Sequence, residues 1–185
     1  MSALIEATVF LIDTIFTLYM ILILLRFFLY RVNINFRDPF AQVIMRLTNP
    51  TLRPLHRFIP AWRRIDFAAL ILLFALMLVK IMLILLLYGE SVSLFLIFLI
   101  AFTRTIYLIL QFFTFTIIVG VIASWIIPNY SHGYGSHSFT LDFLYHINEL
   151  LLKPVRTHLP PFQGIDFSAL VVLIILQVMM ILLST

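Results

Sequence analysis

Four apolar runs, each long enough to cross a bilayer as a helix, constrain this chain more than any other feature. A helical span takes roughly 20 such residues. The first run covers about residues 4–30 and carries charge only at Glu6, Asp13 and Arg26. The second covers 66–88 with Lys80 inside it, and the fourth covers 166–183. The third is overlong, because between 91 and 127 the only charged residue is Arg104. As one helix that stretch would measure roughly 54 Å, against a hydrocarbon core of about 30 Å. It therefore reads as a span beginning near Arg104, preceded by an apolar helix at 91–102 that lies in or oblique to the interface. The expectation is an all-α membrane protein with four transmembrane helices.

Composition excludes the main alternative. The chain is 63% hydrophobic and 11% charged, whereas soluble domains run at about 45–50% apolar and about 25% charged. With no cysteine, disulfides, thiolate metal sites and covalent haem attachment are ruled out together. The 12 Lys+Arg against 8 Asp+Glu would raise nucleic acid as a partner in a soluble protein. Here the bases sit between the apolar runs and report orientation instead, so no nucleic acid is expected. The first base is Arg26, which argues against a cleaved leader and for an uncleaved first span.

The loops orient the spans. Arg31, Arg37, Arg46, Arg53, Arg57, Arg63 and Arg64 face a single acid, Asp38, in the first long loop, and Lys153 and Arg156 lie in the second. The turn at Gly89-Glu90 has no base. By the positive-inside rule both long loops are cytoplasmic and both termini lie outside.

A shift of 100 residues lays one half on the other. Leu52, Pro54, Pro60, Ile65, Asp66, Phe67, Ala69, Leu70 and Leu73 coincide with Leu152, Pro154, Pro160, Ile165, Asp166, Phe167, Ala169, Leu170 and Leu173. The repeats, 1–90 and 91–185, each read as span, loop and returning span, so they share one orientation, unlike inverted transporter repeats. In the first loop, Asp38-Pro39 starts a helix as N-cap and first-turn proline. Phe40, Val43, Ile44 and Leu47 give it one apolar face for the interface, and Asn49-Pro50 ends it. Phe143, Leu144 and Ile147 repeat that face. Pro54 and Pro60, like Pro154 and Pro160, shape a kinked return to the membrane. Asp66 and Asp166 then cap the returning spans.

These residues resemble a known signature. Leu47-Thr48-Asn49-Pro50-Thr51-Leu52-Arg53-Pro54-Leu55-His56-Arg57-Phe58-Ile59-Pro60 with Ile65-Asp66-Phe67, and Leu151-Leu152-Lys153-Pro154-Val155-Arg156-Thr157-His158-Leu159-Pro160 with Gly164-Ile165-Asp166-Phe167, are similar to the YggT (YlmG-like) family in its two-repeat bacterial form. His56-Arg57 and Arg156-Thr157 stand where the family usually has paired arginines. The resemblance implies a small integral membrane protein without an established enzymatic activity. Its relatives are linked with cell division, envelope organisation and osmotic-stress tolerance, and in plastids with nucleoid distribution and haem attachment to a cytochrome complex.

Polar residues within the spans are the candidates for chemistry, because each is costly in hydrocarbon. Asp13, Lys80, Gln111 and Gln177 all fall roughly 9–14 Å below the outer face, at 1.5 Å per residue. They read as one layer, with Asp13 and Lys80 as partners. The layer is either a structural cluster, with Gln111 and Gln177 bonding between helices, or a proton or ion site. Glu6 and Arg104 are a candidate second pair nearer the surface. Thr116, Gly120 and Ser124 form a small-residue seam, internal or between the chains of a homodimer. Arg46, Arg53, Arg57, Lys153 and Arg156 are candidates for contact with anionic headgroups or a protein partner. The histidines are scattered and no nucleophile–base pairing is present, so no metal, cofactor or catalytic residue is expected. The functional expectation is a noncatalytic membrane factor organising the envelope. A small transporter or channel accessory using the Asp13–Lys80 layer is the alternative, and a cytochrome assembly factor a third.

Overall fold

A computed structural model describes residues 3–32, 38–59, 65–127, 139–158 and 167–184. Among them the chain forms α1 (Ala3–Val32), α2 (Pro39–Phe58), α3 (Phe67–Tyr88), α4 (Leu94–Ile126), α5 (Phe139–Arg156) and α6 (Phe167–Ser184). Helices α1, α3, α4 and α6 are long and apolar enough to cross a membrane. Helices α2 and α5 fill the two long connections, so span, amphipathic helix and span recur in each half. No β-strand forms among the described residues.

The helix ends have local causes. Asp38 Oδ1 accepts from Phe40 N at 2.8 Å, with Pro39 at the first helical position of α2. Asp66 Oδ1 accepts from Ala69 N at 3.2 Å and heads α3. At the other end of α3, Gly89 takes φ +68°, and Glu90 N donates to Leu85 O at 3.1 Å. That is a Schellman closure, and its left-handed residue favours glycine. The caps and bends expected at Pro60, Pro160 and Asp166 concern residues outside those described.

Two expectations about helix boundaries are corrected. The third span does not begin near Arg104 after a separate interfacial helix. Ser93 Oγ accepts from Leu96 N at 3.4 Å, and α4 then runs unbroken for 33 residues. Bilayer thickness limits how much helix lies in hydrocarbon, not where a helix stops, and excess length is taken up by tilt or overhang. Between Leu94 and Val119 no proline or glycine supplies a break.

Asn49-Pro50 does not end α2 either. The helix continues through Pro50 and Pro54 to Phe58, and α5 likewise contains Pro154. All three prolines lie on exposed faces. Each removes one helix N–H, so the freed carbonyls, those of Arg46, Pro50 and Leu150, sit on the outward side where water can bind them. Pro54 and Pro154 are therefore helix residues, not bends in the return path.

The chain divides into two compact units, Met1–Ile106 and Tyr107–Thr185, with the boundary inside α4. The division at residue 90 read from the repeat differs from it by the first part of that helix. In the first unit α1 packs on α2 and α3. Met20, Ile23, Leu24, Phe28 and Leu29 of α1 are buried with Ala41, Ile44 and Leu52 of α2 and Ala68, Ala69, Leu73 and Met77 of α3. Alanines at these contacts allow close helix approach, which is what drives packing where lipid is as apolar as the side chains. In the second unit α5 packs on α6, burying Phe143, Ile147 and Leu152 with Ser168, Ala169, Val172 and Leu176.

The apolar faces expected for the loop helices are also revised. Phe40, Val43 and Leu47 are exposed, but Ile44 is turned into the core. On α5, Phe143 and Ile147 are buried in the protein instead of facing lipid. A face drawn at i, i+3, i+4 and i+7 spans over 100°, wide enough to straddle a core-facing and a lipid-facing side.

Candidate functional site

The polar side chains of the first unit gather where α1, α2 and α3 meet. Helix α2 presents Ala41, Ile44, Thr48 and Leu52 inward, so its buried face carries a hydroxyl among apolar groups. Thr48 satisfies itself by donating to Ile44 O at 2.7 Å, and its oxygen then accepts from Arg26 Nη1 of α1 at 2.9 Å. The same Nη1 donates to Asn49 Oδ1 at 2.7 Å. One turn on, Thr51 Oγ1 and Tyr19 Oη share a hydrogen bond at 2.5 Å, and Thr51 also donates to Thr48 O. The Leu47–Thr51 signature segment thus ties the loop helix to the first span by hydrogen bonds.

The far end of α2 is tied to the second span. His56 Nε2 lies 2.9 Å from Asp66 Oδ1, the same oxygen that caps α3. Asp66 is 2% exposed. A cavity of about 160 Å³ opens between these elements, lined by Arg26, Leu29, Tyr30, Met45, His56 and Asp66.

The outward side of α2 is different in kind. Arg46, Arg53 and Arg57 are all exposed. They are spaced by about two turns and then one turn of helix, so the three guanidiniums share one face. That face adjoins the exposed apolar stripe of Phe40, Val43 and Leu47.

The second unit builds the corresponding region differently. Asn148, at the position matching Thr48, is 4% exposed and donates from Nδ2 to Thr116 O of α4 at 2.9 Å. Its Oδ1 is buried without a partner among the described residues. Glu149, matching Asn49, is paired with Arg156 of its own helix. Position 49 or 149 thus meets a guanidinium in both repeats, from the neighbouring span in one and from within the helix in the other. Arg156 is consequently committed to Glu149, while Lys153 stays exposed.

Within the spans, the structure brings Asp13 and Lys80 together: Lys80 Nζ donates to Asp13 Oδ1 at 2.9 Å and to Thr17 Oγ1 at 3.3 Å. The two amides expected in the same layer are not turned inward. Gln111 and Gln177 lie on exposed faces of α4 and α6, with no hydrogen bond between them among the described residues. Counting depth along a helix fixes height but not the side faced. Glu6 and Arg104 are both exposed and form no ion pair with each other. Of the small-residue seam, Thr116 and Gly120 are buried and Ser124 is exposed.

Sequence reasoning missed the roles of Arg26, Tyr19 and His56. For Arg26 the signal lay in α2 itself, where Thr48 interrupts an apolar inward face and its oxygen can still accept from a neighbouring helix.

The comparisons with known proteins agree with this architecture. The CCB3/YggT family model matches residues 5–87 and again 99–185, one match per repeat. An uncharacterised protein of Pseudomonas aeruginosa is 35% identical over 88% of this chain and 80% of its own length. An uncharacterised protein of Vibrio alginolyticus is 32% identical over 91% and 88%. The uncharacterised protein YggT of Escherichia coli K12 is 30% identical over 91% and 85%. No solved structure matches the chain.

Proposed function

From the premise that the chain belongs to the CCB3/YggT family, we propose that it is a noncatalytic inner-membrane factor that organises or supports the envelope, in division or osmotic stress, by docking protein partners on α2. The observation that carries this reading is the arrangement of Arg46, Arg53 and Arg57 on one exposed face of a helix whose other side is anchored to α1 and α3. A helix held at both ends presents its charges in a fixed register, which lowers the entropic cost of recognising an acidic surface. The basic connections support a topology with α2 and α5 on the cytoplasmic side and the termini outside.

A photo-crosslinker on the exposed face of α2 in native membranes, read by mass spectrometry, tests this. Recovery of a discrete protein with an acidic surface is expected, lost in Arg53→Glu/Arg57→Glu and retained in Asp13→Asn. Recovery of lipid alone would refute it.

A second reading, a small transporter or channel accessory, is favoured by Asp13, whose side chain is 55% exposed along a span although it is paired with Lys80. An open carboxylate within a membrane-spanning helix marks a candidate ion or proton path. Flux through liposomes containing the purified protein, abolished by Asp13→Asn, is the outcome that reading requires.

A further inference from the structure

The cavity between α1, α2 and α3 has groups of opposite charge on opposing elements. Arg26 uses Nη1 for Thr48 and Asn49. Nη2 and Nε, three of the five guanidinium N–H donors, have no partner among the described residues. Asp66 takes both of its bonds, from His56 and from Ala69 N, on Oδ1. Oδ2 has no partner among the described residues, although the residue is 2% exposed. Oδ2 is not sealed inside the protein, so it and the spare guanidinium N–H groups can each take a further partner. The two side chains line the same cavity but form no ion pair with each other.

A group that completed this site would present an acceptor, preferably anionic, to Arg26 and an N–H donor, preferably cationic, to Asp66. The position narrows the choice. Arg26 is about 9 Å from the end of α1, and Asp66 immediately precedes α3, so the cavity lies at headgroup depth. Most of its wall is apolar, with Leu29, Tyr30 and Met45 contributing. The volume of 160 Å³ holds about five waters, room for a phosphate joined to a two-carbon amine. We infer that this cavity binds the headgroup of an aminophospholipid, with the phosphate on Arg26 and the ammonium on Asp66. His56 fixes the carboxylate through Oδ1, leaving Oδ2 for the amine. Its lining includes none of Arg46, Arg53 and Arg57, although Arg53 lies near enough to act on the charge of Arg26.

Titration of the detergent-purified chain with short-chain phosphatidylethanolamine, phosphatidylglycerol and phosphatidylcholine, followed by native mass spectrometry, tests the inference. One phosphatidylethanolamine should bind about tenfold more tightly than either of the others, because glycerol lacks the cation and choline lacks the N–H donor. The lipid series changes the ligand alone, so the result does not hinge on a variant folding. Arg26→Gln and Asp66→Asn should each remove the preference, and asparagine remains a good N-cap for α3. Glu90→Gln, in the turn after α3, should keep it. Equal binding of the three lipids would overturn the inference, as would a preference that survives Asp66→Asn. Free phosphoethanolamine binding as tightly as the lipid would overturn it too, by showing a soluble zwitterion to be the ligand.

Discussion

Lys80 and Asp13 meet at 2.9 Å, but they share their burial unequally, with the lysine side chain 12% exposed and the aspartate 55%. The ammonium is therefore the group that depends on the pair. Asp13→Asn leaves that cation buried with only Thr17 and a neutral amide, whereas Lys80→Met leaves an acid that still has an open side. Asp13→Asn should cost about 1–3 kcal/mol in detergent, below the full value for breaking a buried pair because Asp13 is half open. The Asp13→Asn/Lys80→Met double variant should recover most of the loss, because no charge is then stranded. Chemical denaturation of all three variants in one detergent checks the order.

Arg26 secures α2 through two acceptors on consecutive residues, Thr48 and Asn49. Arg26→Leu orphans the Asn49 oxygen and removes two charge-assisted bonds, a loss of roughly 2–4 kcal/mol. Because the bonds hold one helix, the loss should be local first. Amide exchange in α2 should accelerate before that of α3.

Gly89 isolates backbone strain from packing. A methyl group added there meets no atom within 4 Å, but φ is +68°. Gly89→Ala should therefore destabilise by about 1–2 kcal/mol through the left-handed penalty alone. Gly89→Asn should cost less, since asparagine tolerates that region. Thermal unfolding of the two variants separates the effects, and equal losses would count against this account.

Asn148 carries a bond and an orphan together, with Nδ2 donating to Thr116 O and Oδ1 buried without a partner among the described residues. Replacing both groups with carbon removes a bond worth about 1 kcal/mol and an unsatisfied acceptor of similar cost. Asn148→Leu should thus stay within about 1 kcal/mol of the natural chain, whereas Asn148→Asp, which buries a charge, should lose several. Denaturant midpoints measure the difference.

How far the site was legible depended on which kind of information each residue carried. Asp66 could be placed at the start of α3 because an aspartate just before an apolar run has one local use, to cap it. Asp13 and Lys80 could be paired because isolated charges in adjacent apolar runs have few affordable alternatives. Gln111 and Gln177 sit at readable heights, but the side of the helix that each faces depends on rotation against neighbours, and both turned outward. His56 offered no local clue, since its partner lies ten residues away across an interhelical corner.

The four spans, the amphipathic character of α2 and the repetition of the plan were settled by the order of residues alone. They follow from apolar length, helical period and self-similarity, each a property of a segment in isolation. The continuity of α2 through Pro50 and Pro54, the inward turn of Ile44, and the convergence of Arg26, His56 and Asp66 on one cavity were decided by tertiary structure. A helix surface offers several sides to bury, and packing against α1 and α3 selected one. That choice turned the prolines outward, where their freed carbonyls can reach water, and turned Thr48 inward to meet a guanidinium from another helix.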